Sequence, residues 1–262
     1  MLGILMNTDL QLAIGEALNL QELAPNEHVN RVMSQLVNSV ISTKDLSALT
    51  LKPALYNQIR NISAEAETEM EKFWARLIIT SANPYSTLLT FPYLDNYTEL
   101  TKRELGLVTA SGLTIDKSHK VLVIGSGPLP LSAYELHYQS GASIDHVDSS
   151  AEAIKLCKQT SQALGIDSQY FEAYGHEVLL HKQYDLVLIA ALAGSTAQDK
   201  QQILNNILPH LSDQGRIIVR SARGSRELLY PAIAASDVTG VRLLEEYHPS
   251  DYIINSVFVY GK

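Results

Sequence analysis

Hydrophobic and polar positions follow different patterns in the two halves of this chain. From about residue 9 to residue 107, apolar side chains recur at i, i+3 and i+4, as in HVNRVMSQLVNSVIS and AEAETEMEKFWARLIITS, which predicts amphipathic helices. Pro25-Asn26 favours the start of one helix. Asn83-Pro84 is expected to end another, because the residue before a proline is pushed out of the helical region. This half is therefore predicted to be helical.

After Ser111 the pattern changes to short apolar runs that alternate with helix-length stretches. The runs are VLVIGSG, SIDHVDSS, YDLVLIAAL and GRIIVRSA, and the stretches between them include AEAIKLCKQTSQALG and DKQQILNNILPHL. This alternation predicts βαβ units and a buried parallel sheet. The last stretch predicts a terminal hairpin around a turn at Pro249-Ser250. The sequence thus predicts an α/β fold, with a helical domain over residues 1–115 and a doubly wound domain over residues 116–262.

Composition and charge exclude several classes of protein. The 262 residues include 46% hydrophobic residues and carry a net charge of -8, which fits a globular chain without the basic footprint of a nucleic-acid binder. Clusters of Lys and Arg that would bind anionic lipid are lacking. The single cysteine, Cys157, cannot form an internal disulfide, and the apolar run 186–194 is too short to span a bilayer. Since the start carries no basic secretion signal, we expect a soluble, cytoplasmic protein with no nucleic-acid or membrane partner.

A glycine-rich turn joins the first predicted strand to a helix in VLVIGSGPLPLS. Glycines such as Gly125 and Gly127 let the backbone turn tightly and approach a ligand closely. Asp148 follows at the end of the next predicted strand, where an acid can bind both hydroxyls of a ribose. The sequence therefore predicts a nucleoside site in the crevice of the doubly wound sheet, although a plain strand-to-helix turn would explain the glycines alone.

The turn departs from the dinucleotide fingerprint G-x-G-x-x-G, because Pro130 occupies the third glycine position. Pro128 and Pro130 have no N–H, so the helix start is poorly suited to a diphosphate. A nucleoside without a diphosphate fits better, and S-adenosylmethionine is the common ligand of that kind. The predicted contacts of the turn are Gly125, Ser126, Gly127, Pro128 and Leu129.

Two further segments carry candidate contacts for the same ligand. Ala173 and Tyr174 follow the third predicted strand, where a backbone group or a small side chain could meet the adenine. Ala190 and Ala191 lie at the exit of the fourth predicted strand, where small residues leave room for a sulfonium centre. Close packing of a helix would explain these alanines equally well.

Five segments together resemble the nicotianamine synthase family, and within it the bacterial enzymes of opine-type metallophore synthesis (the staphylopine and pseudopaline kind). They are LAPNEHVNRVMSQLV, AEAETEMEKFW, FPYLDNYTEL, GSGPLPLS and VRSARGSRELLYP, in a similarity that extends from about residue 20 to the end. The resemblance implies a class I, Rossmann-like S-adenosylmethionine-dependent transferase domain with an all-helical N-terminal domain. It implies transfer of the 3-amino-3-carboxypropyl arm of S-adenosylmethionine to an amine, with histidine as the expected acceptor and methylthioadenosine as the released product. An opine-type dehydrogenase would act downstream.

The resemblance also assigns roles to acidic and tyrosine side chains. Glu67 is the first candidate to bind the acceptor amine or take its proton, and Glu71, four residues on, is the second. The alignment leaves the register of this helix open by a turn, so that Glu69 is an alternative. Tyr97 matches a family tyrosine that faces the reaction chamber, and Tyr230 would either line that chamber or belong to the core.

Two arginines at the mouth of the fifth predicted strand, Arg220 and Arg223, are candidates to anchor a substrate carboxylate through a guanidinium fork. Arg223 replaces a histidine of the plant pattern, which leaves the acceptor open, and an exposed surface pair is the alternative for both arginines. No metal site is predicted, because His28 and His176 lack partners at ligand spacing.

Other functions remain compatible with these residues. One is a nicotianamine synthase proper, with S-adenosylmethionine as acceptor, and another is a small-molecule methyltransferase. A non-catalytic S-adenosylmethionine-binding protein belongs to a different class, and it would tolerate the loss of the acidic and tyrosine candidates. A homodimer is left open.

Overall fold

The computed structural model describes residues 2–43 and 53–262, and the part of the predicted helical half that covers 44–52 lies outside these described residues. The described N-terminal half is helical, as its periodicity predicts. Its helices are α1 (Leu2–Leu18), α2 (Glu27–Ser42), α3 (Pro53–Thr80), α4 (Pro84–Leu88) and α5 (Leu94–Ala110).

Local capping explains where two of these helices begin. Asn26 caps α2 by accepting a hydrogen bond of 2.9 Å from the N–H of Val29, which confirms the predicted start. Asn83 caps α4 in the same way, with Pro84 as its first residue, so the predicted end at Asn83-Pro84 separates α4 from α3. The long helix α3 therefore carries the whole acidic segment without interruption.

The second half alternates strands with helices, as predicted. Its strands are β1 (Lys120–Ile124), β2 (Ser143–Asp148), β3 (Tyr170–Glu172), β4 (Tyr184–Ile189), β5 (Leu211–Ser221), β6 (Arg242–Tyr247) and β7 (Ser256–Gly261). Its helices are α6 (Leu131–Ser140), α7 (Ala151–Ala163) and α8 (Ala197–Ile207).

The strands form one mixed sheet in the order β3-β2-β1-β4-β5-β7-β6. Neighbours from β3 to β5 are parallel, whereas β7 is antiparallel to both β5 and β6. The predicted terminal hairpin is confirmed, and its second strand inserts between β5 and β6. Because β1, β2 and β4 are parallel neighbours, their carboxyl ends meet at one edge, where a crevice for ligands is expected.

Both faces of the sheet are covered. Apolar residues of α8 pack on one face, and apolar residues of α5 and α6 pack on the other. Helices α1, α2 and α3 form a separate cluster that also buries Leu228 and Leu229, which follow β5. The helical half thus contacts the second half through α5, through α3, which packs against α7, and through the segment after β5. A division of the chain into two domains at residues 115 and 116 stays a prediction.

No described helix combines the length and the hydropathy that crossing a membrane requires.

Candidate active site

The glycine turn after β1 has the backbone that its sequence predicts. Gly125 and Gly127 adopt φ angles of +80° and +70°, which favour glycine. A Cβ atom on Gly125 would lie 2.8 Å from the Cβ of Ala193 and 3.2 Å from the Cβ of Ala190. The turn therefore needs glycine both for its conformation and for its close approach to the loop after β4.

Asp148 lies beside this turn, as expected from the spacing. Its Oδ2 accepts a hydrogen bond of 2.9 Å from the N–H of Gly127, and its Oδ1 accepts one of 2.9 Å from the N–H of Ser150. Each oxygen of a carboxylate can accept more than one hydrogen bond. The carboxylate can therefore hold the turn and still accept hydrogen bonds from two hydroxyls of a ligand.

A cavity of about 580 Å³ opens at the carboxyl edge of the sheet. Tyr174 lines its mouth with 59% of its surface exposed. Ser126 also lines the cavity, but its hydroxyl donates to the carbonyl of Val123 and is therefore engaged within the protein. The structure brings together in this lining all the predicted site residues except Arg223, namely Glu67, Glu71, Tyr97, Gly125, Ser126, Gly127, Pro128, Leu129, Asp148, Ala173, Tyr174, Ala190, Ala191, Arg220 and Tyr230.

Glu67, near the middle of α3, receives hydrogen bonds from two tyrosines of distant elements. The hydroxyl of Tyr97 in α5 donates to Oε1 over 3.1 Å, and the hydroxyl of Tyr230, after β5, donates to Oε2 over 2.8 Å. Burial raises the pKa of Glu67, and the two hydrogen bonds oppose that rise. Burial and the charge of Glu67 raise the pKa of both tyrosines well above 10, so both remain donors. The carboxylate is thus held in a fixed orientation.

Glu71 lies one turn further along α3 and faces the glycine turn. A Cβ atom on Gly127 would lie 2.5 Å from its Oε2, which shows how closely the two elements approach. Burial and the negative charge of Glu67 raise the pKa of Glu71 well above its usual value. The two carboxylates therefore oppose each other's ionisation.

The other acidic residues of this helix face elsewhere. Glu65 is exposed, and Glu69 accepts a hydrogen bond of 2.9 Å from Nζ of Lys72. Lys72 also pairs with Glu152 of α7 over 3.0 Å. The sequence left open whether Glu67 and Glu71 or Glu69 would face the substrate. In the structure Glu67 and Glu71 line the cavity.

The two arginines differ from what the sequence predicts. The guanidinium of Arg220 is held by Glu104 of α5, with Nε to Oε1 at 2.7 Å and Nη2 to Oε2 at 2.9 Å, and Nη1 donates to Oγ of Ser132 over 2.8 Å. The fork expected for a substrate carboxylate is thus occupied by a carboxylate of the protein. Arg223 follows the end of β5 and is exposed outside the cavity, because the chain leaves the sheet after Ser221.

A second cavity of about 330 Å³ lies on the helical side of Glu67. It is lined mainly by apolar side chains of α2 and α3 and by the segment around Phe91. The two cavities share the residues Glu67, Glu71, Tyr97, Tyr230 and Asn255. Sequence reasoning missed Asn255, whose buried Nδ2 has no hydrogen-bond partner among the described residues, and nothing in its sequence context marked it. A group bound in the second cavity can therefore reach the carboxylates that face the first.

Three features occur together in this doubly wound sheet: a glycine turn after β1, an acid at the end of β2 and an antiparallel last strand. Together they define the class of S-adenosylmethionine-dependent transferases with a Rossmann-like fold. The family described as nicotianamine synthase protein matches residues 8–262. The chain belongs to this family, and it is therefore an S-adenosylmethionine-dependent aminocarboxypropyl transferase.

Individual relatives agree with this assignment. The chain is 33% identical to nicotianamine synthase 9 of Hordeum vulgare over an alignment of 266 positions, which covers 97% of this chain and 77% of the relative. Among solved structures, a Glu-to-Gln mutant of MtNAS in complex with S-adenosylmethionine gives a TM-score of 0.82 at 22% identity over 97% of each chain. MtNAS in complex with MTA and tNA gives a TM-score of 0.80 at 22% identity, over 98% of this chain and 96% of that one. At this identity the two structures support the fold.

Proposed function

We propose that this protein transfers the 3-amino-3-carboxypropyl arm of S-adenosylmethionine to the amine of a small amino-acid acceptor, with histidine as the first candidate. Methylthioadenosine is released, and the product is a precursor of a nicotianamine-like metallophore. The observation that carries the proposal is the position of Glu67, which lies where the two cavities meet.

The first cavity fits S-adenosylmethionine by its donors and its shape. The backbone of the glycine turn can approach a nucleoside, and the carboxylate of Asp148 retains lone pairs for ribose hydroxyls. Pro128 and Pro130 remove N–H groups that a diphosphate would need. When bound, S-adenosylmethionine supplies a sulfonium whose γ-carbon is open to attack by a nucleophile.

Glu67 acts on the acceptor, because a protonated amine must lose a proton before it can attack. A carboxylate within hydrogen-bond reach can take that proton, and a raised pKa makes the carboxylate a stronger base. Tyr97 and Tyr230 hold its two oxygens in place. Glu71 stands between Glu67 and the glycine turn and provides a second carboxyl group for the amine.

The second cavity receives the acceptor. Its described lining offers amide, hydroxyl and carboxylate groups, among them Asn30, Asn38 and Asp95, and includes no lysine, arginine or histidine. Such a lining suits an amine and an imidazole, which supports histidine. Arg220 lines the first cavity and has N–H groups beyond those bonded to Glu104 and Ser132, so we assign it a single contact to a substrate carboxylate.

A nicotianamine synthase proper, which uses S-adenosylmethionine itself as acceptor, is the second candidate. The observation that favours it is the identity of 33% to the Hordeum vulgare enzyme over nearly the whole chain. If histidine is the acceptor, an opine-type dehydrogenase would act on the product, since the free primary amino group of the transferred arm is what a reductive condensation with an oxo acid consumes.

The test is incubation with S-adenosylmethionine, alone and with a panel of amino acids that includes L-histidine and D-histidine, followed by mass spectrometry. Methylthioadenosine together with an aminocarboxypropyl-histidine is the expected result. Methylthioadenosine with S-adenosylmethionine alone would identify the second candidate. S-adenosylhomocysteine, or binding without any product, would overturn the proposal.

A further inference from the structure

Lys200, in the first turn of α8, is buried behind the wall of the first cavity with 1% of its surface exposed. Lysine is almost never so deeply buried unless its ammonium is paired. Here the partners are three backbone carbonyls. Nζ donates to the carbonyl oxygens of Ala190, Ala191 and Ala193 over 2.7, 3.1 and 2.9 Å.

The three carbonyls belong to the loop that connects β4 to α8 and lines the cavity. An ammonium has three N–H donors, so its hydrogen-bonding capacity matches these three acceptors in full. The same loop presses the methyl groups of Ala190 and Ala193 toward the backbone of Gly125. Lys200 itself is absent from the described lining of the cavity. It therefore acts on the loop from behind.

We propose that Lys200 is a positioning residue for the nucleoside: by holding the carbonyls of residues 190, 191 and 193, it fixes the loop after β4 against the glycine turn and so sets the shape of the first cavity. This inference rests on the proposed function, because it takes that cavity to be the S-adenosylmethionine site. Without the ammonium, the carbonyls of Ala191 and Ala193 would lose this donor and the carbonyl of Ala190 would keep only the N–H of Ala193, so the loop would rearrange to reach other donors.

Burial makes the contact of Lys200 sensitive to pH, and two charged side chains lie near it. Asp199, on the same helix, directs its carboxylate to the N–H groups of Ser195 and Thr196, and Arg220 of β5 is paired with Glu104. Burial lowers the pKa of Lys200 to about 7. A neutral amine has only two N–H donors, so one carbonyl loses its donor once the proton leaves. The cavity should therefore bind a nucleoside less tightly as the pH rises through this pKa.

The experiment measures the Kd of methylthioadenosine by calorimetry, because this probe lacks the titrating amine and carboxylate of S-adenosylmethionine. Lys200→Gln keeps two N–H donors and Lys200→Met keeps none. We expect the Kd to rise in the order wild type, Lys200→Gln, Lys200→Met, by about tenfold or more for the last. With S-adenosylmethionine saturating, kcat should fall by less than about threefold, which separates positioning from a catalytic role.

Arg216→Met is the matched control. Like Lys200→Met, this variant removes one positive charge and hydrogen bonds to a loop, here those to Oγ and the carbonyl oxygen of Ser111. Arg216 lies nearer the start of β5 and does not line the cavity. The Kd of this variant for methylthioadenosine should equal that of the wild type. If Lys200→Met does not fold, the inference is tested by the Kd of Lys200→Gln and by the pH dependence of the wild-type Kd. A wild-type Kd for Lys200→Gln would overturn the inference, whereas failure of the wild type to bind the probe would overturn the proposed function and this inference with it.

Discussion

Glu104 and Arg220 form a buried ion pair that joins α5 to β5 beside the candidate active site. Their two hydrogen bonds measure 2.7 and 2.9 Å, and their side chains are 0% and 6% exposed. Glu104 balances the charge of the guanidinium and fixes its plane, and Nη1 of Arg220 donates to Ser132. A positive charge is thus held close to Tyr97 and Tyr230 at a position that the fold determines.

Breaking this pair should cost much more stability than removing both members. We expect Glu104→Leu and Arg220→Met each to lower the free energy of unfolding by about 3–5 kcal/mol, because each leaves one charge buried without its counter-charge. The double variant Glu104→Leu/Arg220→Met should lose clearly less than the sum of the two single changes. Urea denaturation of the four proteins measures this coupling. Additive losses would show that the two side chains do not stabilise each other.

The parts of the site that the sequence could predict depend on local spacing. The glycine turn and Asp148 each follow a strand, and the ends of neighbouring parallel strands meet at one edge. Glu67 and Glu71 share a helix face because they are four residues apart. In both cases a short sequence pattern places the side chains at one edge or on one face, while the resemblance to the family selects the two glutamates. The structure brings the glycine turn, Asp148, Glu67 and Glu71 into one cavity.

Long-range pairing could not be predicted in the same way. Glu104 and Arg220 are 116 residues apart, and no periodicity links them. One signal was present: Glu104 lies on the buried stripe of α5 with Leu100 and Val108, as Lys200 does on the stripe of α8 with Ile203. A charged residue on an apolar stripe must find a partner inside the fold. No comparable sequence signal marks Arg223 as lying outside the site. Its position follows from where β5 ends, at Ser221.

Glu67→Gln should remove catalysis and spare binding. Glutamine can accept the hydrogen bond of one of the two tyrosines at its carbonyl oxygen and donate from its NH2 group to the hydroxyl oxygen of the other, but it cannot take a proton, so we expect kcat to fall by about 10²- to 10⁴-fold. The Kd for S-adenosylmethionine should change little. Formation of methylthioadenosine under single turnover and calorimetry measure the two quantities. Glu65→Gln, an exposed position two residues away, should behave as the wild type. Turnover of the Glu67 variant near the wild-type rate would contradict its role as the base.

Glu71→Gln should stabilise the protein at high pH. Since burial raises the pKa of Glu71 in the folded state, the unfolded chain releases its proton first as the pH rises above about 4.3. Wild-type stability therefore falls from that pH until the pH exceeds the folded-state pKa, and the loss then stays constant. We expect equal melting temperatures near pH 4 and a higher one for the variant at pH 8. A variant that melts below the wild type at pH 8 would contradict the raised pKa.

Gly127→Ala should damage the site more than a change of backbone conformation alone can explain. The new Cβ would lie 2.5 Å from Oε2 of Glu71, and the φ of +70° disfavours alanine. Gly165→Ala is the matched control, since its φ of +72° is nearly the same and nothing lies within 4 Å of its Cβ. We expect both variants to lose about 1–2 kcal/mol of stability. Only Gly127→Ala should weaken S-adenosylmethionine binding, by about tenfold or more. The reason is that it displaces Glu71 and the backbone N–H of residue 127, which donates a hydrogen bond to Asp148. Equal affinities in the two variants would refute the close approach of α3 to the glycine turn.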